Sequence, residues 1–160
     1  EKVGIGALKY FDLSHHRRSD VVFRWDAALS FEGATGPYLQ YSHARFRSIL
    51  RNLEADRPES LRRLTEKTDI RLDEIERRLL AFLLRLPEAI EDALSDYAPS
   101  ALANYLYRLA DLANGFYHSH PVTQEPDMSR REMRGALASG VASTLSRGLW
   151  CLGIEALEEM

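Results

Sequence analysis

The sequence predicts an all-α fold, an antiparallel helix bundle preceded by a partial helical region. Three observations carry this. Apolar residues recur every three or four positions through residues 71–160, the spacing that puts them on one face of a helix. Pro87, Pro99, Pro121 and Pro126 cut that stretch into helix-length pieces, since proline is tolerated in a first turn but not inside a helix. Only one short run, Val21-Val22-Phe23-Arg24-Trp25, concentrates the β-branched and aromatic residues that favour extended backbone.

The elements follow in order. A helix is expected over 3–13, carrying Ile5, Leu8, Tyr10 and Phe11. Residues 21–25 should be extended, and Phe31-Glu32-Gly33-Ala34-Thr35-Gly36 should turn the chain. Pro37 suits a first helical position, where its missing N–H has no intrahelical partner to lose. The helix it opens should run to about 54, with Tyr38, Tyr41, Ala44, Ile49 and Leu53 near one stripe. Residues 55–70 are polar and read as a connection. Asp69 is the expected cap of a helix over 71–85, with Leu72, Ile75, Leu79, Leu83 and Leu86 on its apolar face. Pro87 and Pro99 each restart a helix, the second running to about 117 through Leu102, Leu106, Leu109, Ala113 and Phe116. Residues 118–128 hold two prolines and should be a loop. Ser129-Arg130-Arg131-Glu132 has the form of a capping box. The last helix, about 130–152, carries Met133, Leu137, Val141, Leu145 and Leu149, and Gly153 suits a left-handed stop.

Length and composition bound the function. The chain has 160 residues, 45% hydrophobic and 28% charged, enough to bury roughly 68–70% of its unfolded surface without disulfides or metal. Its one cysteine, Cys151, excludes a disulfide framework within the chain and a Cys-rich metal site. No apolar run approaches the ~18 residues that span a bilayer, and the opening residues lack the apolar stretch of a signal peptide. The expected setting is cytoplasmic, with no membrane partner. A start at Glu1 is expected of a chain that was processed or belongs to something longer. The net charge of −3 is unlike a general nucleic-acid binder. Among the basic residues only Lys2, Lys9 and Lys67 are lysine. Arginine gives bidentate bonds to phosphate, although a GC-rich genome produces the same bias.

Catalytic patterns are absent from the sequence. No nucleophile motif is present, and loop 33–36 is too short for a phosphate-binding loop and lacks its Lys-Ser/Thr. His118 and His120 could share one side of an extended loop, but no standard metal spacing surrounds them. Two segments stand out instead. Residues 33–45 lead a loop into a helix N-terminus, where N–H donors favour anions, and His43, Arg45, Arg47 and Arg51 follow as phosphate candidates. The segment Asn114-Gly115-Phe116-Tyr117-His118-Ser119-His120-Pro121-Val122 puts aromatics at a helix-to-loop junction, where unstacked bases can stack. A solvated face over a tyrosine-rich core explains the first segment equally well, and a core Phe116 with a rim Tyr117 explains the second.

At these segments the sequence resembles the C-terminal part of the arginyl-tRNA synthetase family. The resemblance rests on Val3-Gly4-Ile5-Gly6-Ala7-Leu8-Lys9-Tyr10, Asp12-Leu13-Ser14, Arg18-Ser19-Asp20-Val21-Val22-Phe23 and Trp25-Asp26. Its most specific block is Phe31-Glu32-Gly33-Ala34-Thr35-Gly36-Pro37-Tyr38-Leu39-Gln40-Tyr41-Ser42-His43-Ala44-Arg45. Tyr105-Leu106-Tyr107-x-Leu109-Ala110, Phe116-Tyr117 and Val141-Ala142-x-Thr144-Leu145-x-x-Gly148-Leu149-x-x-Leu152-Gly153-Ile154 follow, and the chain ends in Met160. Nearly the whole chain is covered, with 51–72 divergent. The family often has Pro where Leu157 stands, Arg where Glu159 stands, and in some members an aromatic where Pro121 stands.

The resemblance implies a division of labour. Residues 1–54 would be the remnant of a catalytic and stem-contact region, and 71–160 the helical anticodon-binding domain named DALR, joined by 55–70. Tyr117, His118, Pro121 and Val122 would meet the anticodon loop, together with Arg134 and the end at Met160. Gln40, Tyr41, His43, Arg45, Arg47 and Arg51 would meet the stem or backbone. The partners implied are the tRNA for arginine and the remainder of the catalytic domain in cis, in a monomer. The whole synthetase would join arginine to that tRNA using ATP with magnesium. The family's adenylate-forming signatures, His-Ile-Gly-His and Lys-Met-Ser-Lys-Ser, do not occur in this sequence, so this stretch is expected to need no cofactor and to lack that chemistry alone. The alternative is a stand-alone helical module that binds protein or RNA.

Overall fold

The computed structural model describes residues 1–53 and 71–160. The described residues form seven helices and no strand: α1 (Lys2–Ser14), α2 (Trp25–Ala28), α3 (Gly36–Leu53), α4 (Glu74–Leu83), α5 (Leu86–Ser95), α6 (Pro99–Ser119) and α7 (Met128–Cys151). None is long and apolar enough to cross a membrane.

α7 is the centre. Met133, Leu137, Ala138, Val141, Ala142, Leu145 and Leu149 are all buried on it, and helices α3, α4 and α6 pack around it. A helix that buries so much of its girth belongs in a core. α6 supplies Leu106, Leu109, Ala110, Ala113 and Phe116, each 0% exposed. α1 and α3 join the same core through Tyr10, Leu39, Phe46 and Leu50. Tyr10 reaches across to donate its hydroxyl to the Ala103 carbonyl at 3.2 Å, and burial raises its pKa above the ordinary tyrosine range. The seam between α1 and α3 is close at the start of α3. A Cβ on Gly36 would collide with the Gly6 carbonyl.

The ends of the helices correct several expectations. Residues 20–24 carry no regular structure and Trp25 already opens α2. The run has strand-like residues, but no second strand lies among the described residues to pair with it. Instead Phe11, Phe23 and Trp25 stack edge to face at 4.9 and 4.8 Å. Asp69 lies outside the described residues. The cap of α4 is Asp73, in a full capping box with Glu76, so the helix begins at 74 and not 71. At α7 the cap is Asp127, which accepts from the Arg130 amide at 2.9 Å. Ser129 therefore lies inside the first turn, because a carboxylate two residues earlier takes the amide first. Thr35 caps α3 through its hydroxyl, which accepts from the Tyr38 amide at 3.2 Å. Gly153 has φ 66° as expected. Its amide bonds the Trp150 carbonyl and the Ile154 amide bonds Leu149, both at 2.9 Å, a complete Schellman stop with buried Ile154 as its apolar contact.

Candidate nucleic-acid interface

α3 carries two working faces. Gln40, His43, Arg47 and Arg51 follow at steps of three and four residues, so they share one side of the helix. That side holds the C-terminal segment. Gln40 Nε2 donates to the Glu155 carbonyl at 2.9 Å and His43 Nδ1 to the Leu157 carbonyl at 2.8 Å. Arg47 Nε donates to Glu158 Oε2 at 2.8 Å, and Arg51 Nη1 to the Glu158 carbonyl at 3.1 Å. A looser ion pair joins Arg51 to Glu159 at 3.6 Å. Gln40 and His43 are buried, so the expected RNA contact at these two positions is not available. Their polar atoms anchor the chain's own backbone.

The neighbouring face opens on solvent. Here Tyr41 and Arg45 lie one turn apart, and Tyr117 approaches from the end of α6. The Arg45 guanidinium sits over the Tyr41 ring at 4.6 Å and over the Tyr117 ring at 5.7 Å. It donates from Nη2 to the Tyr41 hydroxyl at 2.8 Å and from Nη1 to Asn114 Oδ1 at 2.9 Å. Asn114 Nδ2 donates in turn to the hydroxyls of Tyr38 and Ser42, each at 3.0 Å. The guanidinium is thus fixed in plane and position, with Tyr41 and Tyr117 half exposed beside it. Around it is a cleft of about 440 Å³, lined among others by Tyr41, Arg45, Ser48, Arg51, Tyr117 and Met160. Thr123 and Glu159 also line it. Fixed hydrogen-bond donors beside aromatic faces are what a flat, unpaired base requires.

The structure brings Tyr41, Arg45, Arg51, Tyr117 and Met160 together at this cleft. His118 is exposed beside Tyr117, their rings 6.0 Å apart, and Pro121 is exposed on the following loop. Val122 and Arg134 are 2% and 4% exposed and do not present themselves to RNA. Val122 packs in the core. Arg134 donates from Nε to Glu76 Oε1 at 2.8 Å and from Nη1 to Glu125 Oε2 at 2.5 Å. An arginine already paired with two buried carboxylates is a structural link. Asn114 is the residue that sequence reasoning passed over. The available signal was an amide placed one residue after Ala113 on the buried side of α6, where a polar group needs a partner.

Asp73, Glu76 and His120 converge within 4.8 Å and are the described group best placed to hold a metal. Their atoms have other partners: His120 Nε2 meets Asp73 Oδ2 at 2.7 Å, and Glu76 Oε2 accepts from the Asp73 amide at 2.9 Å. Desolvation opposes ionisation of Asp73, but the Glu76 amide and His120 outweigh it and hold its carboxyl below the ordinary value. With the Arg134 cation beside it, the group serves as a joint between α4 and the loop after α6. His118 ends up on α6 and His120 at its cap, so the two do not share a loop face.

Comparison with known proteins gives the family. Residues 39–160 match the family described as the DALR anticodon binding domain. The arginine–tRNA ligase of Saccharophagus degradans is 44% identical over 162 residues, covering 99% of this chain and 27% of that protein. That of Pyrococcus abyssi is 42% identical over 160 residues, covering 100% and 25%. Among solved structures, the arginyl-tRNA synthetase of Thermus thermophilus superposes with a TM-score of 0.84 at 34% identity, covering 99% of this chain and 27% of that one. The chain spans about a quarter of the length of these relatives. With the match running from α3 to Met160, through the Arg45–Tyr117 cleft, the chain belongs to the DALR anticodon binding domain family.

Proposed function

We propose that this chain binds the anticodon stem-loop of the tRNA for arginine, as the DALR part of an arginine–tRNA ligase. The observation that carries this is Arg45, held by Asn114 and Tyr41 between two half-exposed tyrosine rings at the mouth of the cleft. A splayed base stacks on Tyr117 or Tyr41 and takes hydrogen bonds from the fixed guanidinium. Arg51, His118, Pro121 and Met160 border the same loop, and Arg47 adds charge nearby. Gln40, His43, Val122 and Arg134 support this surface from within.

Residues 1–54 are the remnant of the region that contacts the stem, and 71–160 the anticodon-binding bundle. The remainder of the ligase supplies the catalytic domain in cis. Ile5, Leu8 and Trp25 are 48%, 49% and 58% exposed, a concentration of apolar surface that suits burial against further protein. ATP and magnesium act in that remainder, in a cytoplasmic monomer, and no described residue of this chain is assigned to them. Titration with the stem-loop of the arginine tRNA, and with one of altered middle anticodon base, tests the reading. Tighter binding of the first is expected. Equal affinity for both sinks specific recognition.

A further inference from the structure

The loop after α6, residues 120–127, lines the cleft through Thr123. It is fastened at both ends by buried charge. Near its start, the Pro121 carbonyl accepts from Arg134 Nη1 at 3.0 Å. His120 meets Asp73 Oδ2 and the Ser119 hydroxyl, both at 2.7 Å, and stacks on Phe116 with ring centres 5.2 Å apart. Near its end, Glu125 Oε2 takes the same Arg134 nitrogen at 2.5 Å, Glu125 Oε1 accepts from the Asp127 amide at 3.2 Å, and Arg131 Nε donates to the Glu125 carbonyl at 3.0 Å. Arg134 Nε is bound to Glu76 of α4. The Arg134, Glu76 and Glu125 side chains are 5%, 0% and 11% exposed.

A buried ion pair is no better a source of stability than well-packed apolar groups of its size. What a guanidinium offers is a rigid planar fork that fixes its partners in direction as well as distance. Here that fork joins α7, α4 and both halves of a short loop, and Thr123, between the fastenings, lines the cleft. We propose that Arg134, Glu76 and Glu125 are positioning residues. They hold loop 120–127 and the end of α6 so that Thr123 and Tyr117 form a fixed wall against the base, and Arg134 itself does not touch RNA. The proposal rests on the reading of the cleft as a base site.

The test uses the 160-residue chain with Glu125→Gln and Arg134→Gln. Each is titrated with the matched and the altered stem-loop across a salt series, and amide exchange of the loop is read without RNA. Circular dichroism should show the helices retained, and exchange at 123–127 should accelerate by about tenfold or more as the loop opens locally. Discrimination between the two RNAs should fall roughly tenfold, the scale of one misread base. The salt slope should stay the same, because no phosphate contact is lost. A slope shallower by about 0.7–0.9 in Arg134→Gln, which removes the charge that lysine would keep, places that residue on a phosphate and overturns the proposal. So does unchanged loop exchange, or faster exchange with discrimination intact. If Arg134→Gln fails to fold, Glu125→Gln, at the edge of the network, decides alone. A wild-type chain that does not discriminate overturns the functional reading and this proposal together. Discrimination kept by wild type and by both variants overturns this proposal only.

Discussion

Tyr117 stands at the last full turn of α6, 38% exposed, with the Arg45 guanidinium over one face. Its backbone belongs to a helix anchored by buried Phe116 and Ala113, so the ring can be removed without opening the core. Tyr117→Ala should weaken stem-loop binding by roughly 1–3 kcal/mol, the usual worth of one base stack, and leave the thermal midpoint nearly unchanged. Calorimetric titration beside a melting curve checks both parts. A large fall in the midpoint with binding intact in the folded fraction would make Tyr117 a core residue. The aromatic pattern around it was readable in the sequence. The burial of Arg134 was not, because its partners Glu76 and Glu125 lie 58 and 9 residues away and the type of a residue says nothing of distant carboxylates.

Helices α6 and α7 were legible because their apolar spacing is sustained over many turns and their stops are Gly and Pro. The start of α7 was not, because two cap signals compete there and only geometry decides that Asp127 takes the first free amide. The seam between α1 and α3 was also hidden, since it depends on two glycines thirty residues apart meeting backbone to backbone. It supports a paired substitution experiment. Gly36→Ala should destabilise the chain by about 1–3 kcal/mol or more, because a methyl group there meets a carbonyl that cannot rotate away. Gly4→Ala, where a Cβ meets nothing within 4 Å, should instead stabilise by up to about 1 kcal/mol through helix propensity. Urea melts of the two variants check the contrast, and equal responses would mean the seam relaxes freely.

For the molecule as a whole, the net charge of −3 conceals a local arrangement in which acidic and basic residues are sorted. Glu158 and Glu159 lie against Arg47 and Arg51, while Arg45 turns to the open cleft. The sequence count could not separate these, because the pairing is between α3 and a segment more than 100 residues later. His43 sits at that junction and links global stability to pH. Burial lowers its pKa and Arg47 acts in the same direction, against the Leu157 carbonyl and Glu158. The unfolded chain therefore takes up a proton first as pH falls, so the stability present above about pH 6.5 declines below it. The melting temperature should drop between pH 7.5 and 5.5 more steeply than in His43→Gln, and parallel curves would remove His43 from the account.

The contact between α3 and the last residues has a further consequence. Gln40 and His43 grip main-chain carbonyls of Glu155 and Leu157, which every amino acid supplies, whereas the helix sets the spacing between the two grips. The two grips lie three residues apart on the helix and meet carbonyls two residues apart in the segment, so both are satisfied at one register. Side chains in this segment can therefore drift over time with little effect at Gln40 and His43. A single inserted or deleted residue after Gly153 would displace every grip at once and move Met160 away from the cleft.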